Sequence, residues 1–347
     1  MPLVLVAPGL LSSRADAFDR DRAFATLAAH AGDARIHPEG IAGAMLAATP
    51  CPDGTPVAPL AALGAGTDPG SAFVIIADPV HFDAGHTDVV LTRRVDDLQR
   101  DEADALVATL SAHFADDGLR FVAPRAGAWF VLAAQAQEVA TTPVDAVVGR
   151  SLMAHLPRGP GAGTWKRWQD EVGMLLHDHP VNAAREGRGL PSANAVWFWG
   201  SGRLADVGIL DTGIAVDVAA AAGRAGDIAR GIALASRGSV APWPPPGGWL
   251  DPSLRQRGTG GNGGANAAAT IVVTDAIGSE RDVAAFARDW LAPALALLEG
   301  GRIDALHLVA DGSGIAATWT VKARGRLARL RTRWRRQRFR IPVAAGA

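Results

Sequence analysis

The chain has 347 residues, 48 % of them apolar and 20 % charged, with a formal net charge of −1. This excludes whole-chain disorder, and the length is more than one small domain needs, so two domains are expected. One cysteine, Cys51, excludes an internal disulfide and any multi-cysteine zinc site, and no apolar run reaches the roughly 18 residues of a membrane span.

The N-terminus has a short apolar run without a preceding basic region, so it reads as a buried strand, Leu3–Ala7, rather than a signal peptide. Pro8-Gly9 ends that strand. Helices are expected around Arg20–Ala31 and Pro38–Ala48, and Thr49–Gly70, rich in proline and glycine, reads as a connector. Ala72–Ala77 is an apolar, β-rich run ending at Asp78-Pro79. Val89–Arg93 is a short strand. Asp101–Phe114 has Ala103, Leu106, Val107, Leu110 and Phe114 at helical spacing and acids in its first turn, with Gly118 as its stop. Leu119–Ala123 and Trp129–Ala133 form a strand pair, giving a small α+β unit.

Trp165–His177 is an amphipathic helix, ended before His179-Pro180 because proline disfavours helical geometry at the residue preceding it. Asn182 and Arg185 lie on the short segment that follows. Ala195–Trp199 is a strand with Trp197 and Trp199 on one face, ending in Gly200-Ser201-Gly202. Beyond it, Val207–Leu210 reads as a strand, Thr212–Arg237 as a helix and 242–264 as a linker with five prolines. Ala269–Thr274, Glu280–Leu298 and Ala305–Ala310 read as strand, helix and strand, an α/β signature. From Lys322 to Arg340 there are ten basic residues and no acidic one.

The density of polar residues between Glu171 and Gly202 marks the candidate site. Its segment DHPVNAAREGRGLPSANAVWFWGSG resembles the HPVN, PAN and G-x-G stretch of archaeal-type cofactor-independent phosphoglycerate mutases. LGAGTDPGSAFVIIADPV is similar to the passage by which those enzymes enter their inserted phosphotransfer domain. ADPVH, E-x-x-MLLH-x-HPVN and WFWG-x-G resemble a bacterial family named variously phosphoglycerate mutase or regulatory protein of the RpfE type. The resemblance covers 71–202 and implies an α/β fold with a degenerate alkaline-phosphatase-like core. That core would comprise 1–70 and 203–321, with 71–202 as an inserted α+β domain and 322–347 as a basic C-terminal tail.

Enzymes of that superfamily imply two divalent metals held by Asp and His beside a serine nucleophile. Where the resemblance implies an Asp-Gly motif after the first strand, this chain has Pro8-Gly9, and a proline side chain cannot ligate a metal. Asp304, His307 and Asp311 are the nearest C-terminal approximation to the metal ligands, at the wrong spacing. The implied His-Arg dipeptide near the end of the insert is missing, with Ala128-Trp129 in its neighbourhood. The expectation is therefore a non-catalytic relative that needs no cofactor, with no catalytic or metal-binding residues. A divalent metal is needed only under the alternative, an active mutase or phosphatase.

The candidate ligand-binding residues are Asp78, His81, Glu171, His177, His179, Asn182, Arg185, Asn194, Trp197, Trp199, Gly200 and Gly202. Asn182 and Arg185 can hold a phosphate or carboxylate, or can fix the turn onto the following strand. His177 and His179 can ligate a metal, but a helix-capping role suits them better. Asp78 with His81 suggests a catalytic pair, against which stands an ordinary Asp-Pro turn. Trp197 and Trp199 can stack on a ligand or lie in a core. Ser12-Ser13 lack an identifiable base, and the glycines of 258–264 lack the Lys-Ser/Thr of a phosphate-binding loop. A small anionic ligand or a protein is the expected partner. The basic segment Lys322–Arg340 makes nucleic acid a further alternative, and the expected compartment is the cytoplasm.

Overall fold

The apolar run Pro2–Ala7 (β1) is the central strand of a parallel sheet in the computed structural model, which describes residues 1–19, 21–84, 88–211, 215–241, 268–323 and 339–342. The linker expected at 242–264 and most of the basic segment 322–347 lie outside these residues. The chain is a mixed α/β protein that divides into two units, Met1–Asp53 with Gly208–Ala347, and Gly54–Val207.

After β1 come α1 (Asp16–Asp19), α2 (Arg22–His30), β2 (Arg35–Ile36) and α3 (Gly40–Ala47). The second unit contains α4 (Val57–Gly64), β3 (Phe73–Ala84), β4 (Val89–Arg94), α5 (Arg100–His113), β5 (Leu119–Arg125) and β6 (Ala128–Ala133). It continues with β7 (Arg150–Ser151), α6 (Ala162–His177), α7 (Pro180–Gly187) and β8 (Ala195–Arg203). The chain then returns to the first unit through β9 (Val216–Ala220), α8 (Arg224–Ala235), β10 (Val240–Ala241), β11 (Ala269–Val273), α9 (Glu280–Phe286), α10 (Ala292–Glu299), β12 (Ala305–Gly312) and β13 (Ile315–Lys322).

In the first unit the strand order is β10-β9-β11-β1-β12-β13-β2, parallel through β12, with β13 antiparallel to both of its neighbours. Alternation along the strands sends Leu3, Leu5, Leu306, Leu308 and Trp319 into one core, under α2, α9 and α10. Phe339 joins that core, its ring 4.9 Å from Trp319 and 5.1 Å from both Phe18 and Phe24. In the second unit β3 pairs with β6 and then β4 along one edge and with β8 along the other. Phe73, Ile75, Ala77, Val196 and Phe198 face a core shared with α5 and α6.

Several elements differ from the sequence expectation. The connector expected at Thr49–Gly70 contains α4. Its Pro56 and Pro59 stand at the N-cap and in the first turn, where a missing N–H breaks no helical bond. β3 does not stop at Asp78-Pro79. The Pro79 carbonyl accepts from Val95 N–H on the edge where β6 has ended at Ile76 and β4 begins at Val80, so the absent proline N–H falls in a gap of the ladder.

β8 likewise runs on through Gly200-Ser201-Gly202. Two residues there oppose one of β3, and Gly200 takes φ +68°, the geometry of a glycine bulge. The strand expected at Val207–Leu210 is a pair of tight 3-10 turns. The helix expected over Thr212–Arg237 is the strand β9 followed by α8, because Val216 and Val218 alternate into the core and Gly223 at φ +109° breaks the chain before α8. The helix expected over Glu280–Leu298 widens to a π turn at Ala287–Leu291, which accommodates Pro293. β13 is a strand that the sequence reading missed. Ser313 and Gly314 at φ +50° and +73° turn it back on β12 as a tight hairpin.

Gly202 is a packing position. A β-carbon there would stand 2.3 Å from Pro56 Cβ and 2.9 Å from its Cγ, at the start of α4. Gly202→Ala is therefore expected to destabilise the chain by about 1–3 kcal/mol, read as a lower urea midpoint. Ser201→Ala beside it should stay within about 0.5 kcal/mol of the parent.

Candidate functional site

The structure distributes ten of the twelve candidate residues over three places in the second unit, while Gly200 and Gly202 belong to the bulged end of β8. The first is a clamp between α5 and α7. Arg185 is fully buried, its Nη1 2.8 Å from Glu102 Oε2, its Nη2 2.6 Å from Asp97 Oδ1, and its Nε donating to Pro191 O at 3.0 Å. Arg188 also pairs with Glu102. Burial pushes the Glu102 carboxyl up, but donation from Gln99 N–H and from the Arg188 and Arg185 guanidiniums outweighs it and holds the group below the usual glutamate value. Asn182, 1 % exposed, donates to Leu176 O and Ala193 O and accepts from Ala193 N–H, fixing α7 to the segment that enters β8.

His179 caps α7. Its Nδ1 accepts from Val181 N–H at 3.2 Å, which leaves the proton on Nε2, 3.0 Å from Thr109 Oγ1. Burial lowers its pKa, in keeping with that neutral ring. His177 ends α6 and is exposed, and Glu171 lies on the same helix, bonded to Arg167 and to His113 Nε2. Glu171 and His179 thus engage separate partners.

The second place is the sheet face opposite the α5–α6 core. Asp78 is fully buried and accepts from Trp199 Nε1 at 2.6 Å, while Trp197 Nε1 donates to Thr142 O at 2.8 Å. Around Arg94 stand Asp78, Asp96 at 2.9 Å and Asp145 at 3.5 Å. Burial pushes the guanidinium down, but these carboxylates outweigh it and raise its pKa. Nothing in the spacing of the sequence singled out Arg94, Asp97 or Glu102. Their part follows only from strand pairing and helix packing.

The third place is the end of β3. His81 Nδ1 is 2.8 Å from Ser192 O, and its Nε2 is 3.3 Å from Asp83. Asn194 accepts from Phe82 N–H and donates to Phe82 O, continuing the β3–β8 ladder with a side chain. Asp78 and His81 thus engage different partners and are not brought together as a pair.

In parallel α/β sheets ligands gather beyond the carboxyl ends of the strands. In the first unit β1, β11 and β12 end there in Pro8-Gly9, Thr274-Asp275 and Asp311-Gly312. Asp311 Oδ1 accepts from Gly9 N–H at 2.7 Å, and Ser12 Oγ from Ser313 N–H at 3.3 Å. Asp304 is at the opposite end of β12, about 20 Å away along the strand, paired with the N-terminal ammonium, and His307 bonds Thr320. Among the described residues no group of three or more His, Cys, Asp or Glu side chains converges to hold a metal ion. This donor set does not fit a two-metal centre, which needs several carboxylates and imidazoles in one place.

Residues 57–182 match the family model described as 2,3-bisphosphoglycerate-independent phosphoglycerate mutase. A protein of that name from Methanothrix thermoacetophila is 36 % identical over 66 residues, 19 % of this chain and 17 % of the relative. One from Methanosarcina mazei is 28 % identical over 107 residues, 30 % of this chain and 27 % of the relative. The matches thus span less than a third of the length of these curated relatives. Among solved structures, the cofactor-independent phosphoglycerate mutase of Thermoplasma acidophilum aligns over 92 % of this chain and 89 % of its own, at 15 % identity and a TM-score of 0.38. A Pyrococcus horikoshii protein aligns over 93 % and 87 %, at 12 % identity and a TM-score of 0.49. The family model and the curated relatives support a distant relation of this chain to the cofactor-independent phosphoglycerate mutases.

Proposed function

We propose that the chain is a non-catalytic relative of the phosphoglycerate mutases, with the regulatory or partner-binding role implied by its resemblance to proteins of the RpfE type. The observation that carries this reading is the end of β1. Pro8-Gly9 stands where a metal-ligating aspartate is implied, and the neighbouring Asp311 carboxylate accepts from the Gly9 backbone. A divalent-metal phosphotransfer centre on an alkaline-phosphatase-like core needs ligands converging at that edge, and Asp275 and Asp311 are the carboxylates on the adjoining strand ends.

The burial of Arg185 and Asn182 argues that the 171–202 stretch acts as a rigid scaffold. A partner would meet its exposed margin, where His177 lies, rather than its buried cations. The decisive experiment is a phosphoglycerate mutase assay with added manganese, together with metal analysis of the purified full chain. The expected result is no turnover above the protein-free rate and substoichiometric metal. Bound metal with turnover abolished by chelation would establish the active mutase or phosphatase instead.

A further inference from the structure

The first unit holds a polar pocket that none of the preceding sites includes. Its floor is the face of the β12–β13–β2 sheet opposite the apolar core. Whereas Leu306, Leu308, Ala317, Trp319 and Val321 point into that core, the alternate positions His307, Thr318 and Thr320 point the other way. Register aligns them: His307 faces Thr320 across the β12–β13 pair, and Thr318 faces Arg35 across the β13–β2 pair. His37, two residues beyond Arg35, adds a second imidazole to the same face. α3 packs over β12 and β13, and its small terminal residues Ala47 and Ala48 leave a pocket of about 340 Å³ unfilled, within the usual range for small-molecule sites.

A sheet face under a helix is ordinarily apolar, and buried polar groups are costly there unless bonded. Here His37 is 6 % exposed and Thr318 8 %. Each imidazole uses one nitrogen on a threonine: His37 Nε2 is 3.1 Å from Thr318 Oγ1, and His307 Nδ1 is 3.0 Å from Thr320 Oγ1. His37 Nδ1 and His307 Nε2 have no protein partner among the described residues, and Arg35 has no carboxylate within ion-pair distance there. Lys322 adds positive charge beside His307, against Asp33 on the pocket wall and Glu39 near His37. The α3 C-terminus does not oppose an anion strongly, because the carbonyls of Ala44, Met45 and Leu46 are already taken by Ala48 and Thr49.

We propose that this pocket binds a small oxyanion-bearing molecule, a phosphomonoester or carboxylate, held by the Arg35 guanidinium and the ring nitrogens of His37 and His307 that the threonines leave open. The threonines orient the rings, and Arg35 supplies the forked donor that such anions accept. The site does not depend on whether the chain is catalytic.

The test is a titration of the full chain with inorganic phosphate and, separately, succinate. It is followed by the imidazole C–H resonances of His37 and His307, assigned through His37→Gln and His307→Gln. Saturable shifts of both resonances with at least one anion, weakened about tenfold or more in Arg35→Gln, support the site. Phosphate alone saturating identifies the phosphomonoester class, and succinate alone the carboxylate class. Arg35 is exposed, so the variant should keep the parent's thermal midpoint, and Thr320→Val provides a second variant that frees the His307 ring. Absence of saturable shifts with either anion, or equal affinity in Arg35→Gln, overturns the proposal.

Discussion

Arg185→Ala is expected to lower the stability of the chain by about 3–5 kcal/mol, seen as a large drop in the urea midpoint. The guanidinium is wholly buried and serves three acceptors, on Glu102, Asp97 and Pro191, in a fork that joins α7 to the start of α5. Its removal leaves Glu102, 10 % exposed, with only the Gln99 N–H and the more exposed Arg188 as partners. Arg185→Lys should recover only part of the loss, since one ammonium cannot reach the same acceptors in a plane. The effect carries a pH signature. Glu102 has a folded pKa held below its unfolded value of about 4.3. Its contribution is therefore fully present above that unfolded value and is lost as pH falls through the folded one. The gap between parent and variant should narrow below about pH 4. An unchanged urea midpoint with a lost affinity for a phosphate or carboxylate would instead make Arg185 a ligand-binding residue.

Asp78→Ala is the second large effect, again about 3–5 kcal/mol. The carboxylate is fully buried, is the acceptor for Trp199 Nε1, and is the innermost of the three carboxylates around Arg94. Alanine strands the indole N–H and leaves Arg94, itself only 22 % exposed, to Asp96 and Asp145 on the wetter side. Asp78→Asn retains an acceptor for Trp199 and should cost about 1–3 kcal/mol. His81→Gln serves as the comparison. If Asp78 and His81 acted as a pair, both variants would abolish an activity at unchanged stability. The geometry instead predicts that Asp78→Ala shifts the urea midpoint far more than His81→Gln, because His81 is at the strand end and bonds Ser192 O.

Local signals in the sequence were enough for β1, β11 and β12 of the first unit and for α2, α5 and α6, where apolar periodicity marks the buried face. The pairing of Trp197 with Trp199 on one face follows from a period of two. The misread elements share a cause. Pro56, Pro59, Pro79 and Gly200 are breakers taken alone, but each occupies a place where tertiary structure makes the missing hydrogen bond or the unusual φ harmless: a helix start, a gap between two strand partners, a bulge. The strand β9 lay inside an alanine-rich run whose composition favours helix, and only the parallel partners β10 and β11 on either side of it decide for a strand.

The polar density between Glu171 and Gly202 was equally legible, but its meaning was not. Residue type and spacing cannot show whether an arginine faces solvent or a buried glutamate 83 positions away in sequence. Packing decided that, placing Arg185 against Glu102 and Trp199 against Asp78. The α/β character, the pattern of buried faces and the Pro8-Gly9 turn after the first strand are written in local sequence. Which polar groups satisfy one another, and which, as on the β12–β13–β2 face, keep open nitrogens and space beside them among the described residues, depends on long-range packing. Periodicity is a property of neighbouring residues, whereas hydrogen-bond satisfaction belongs to residues that long-range contacts bring together.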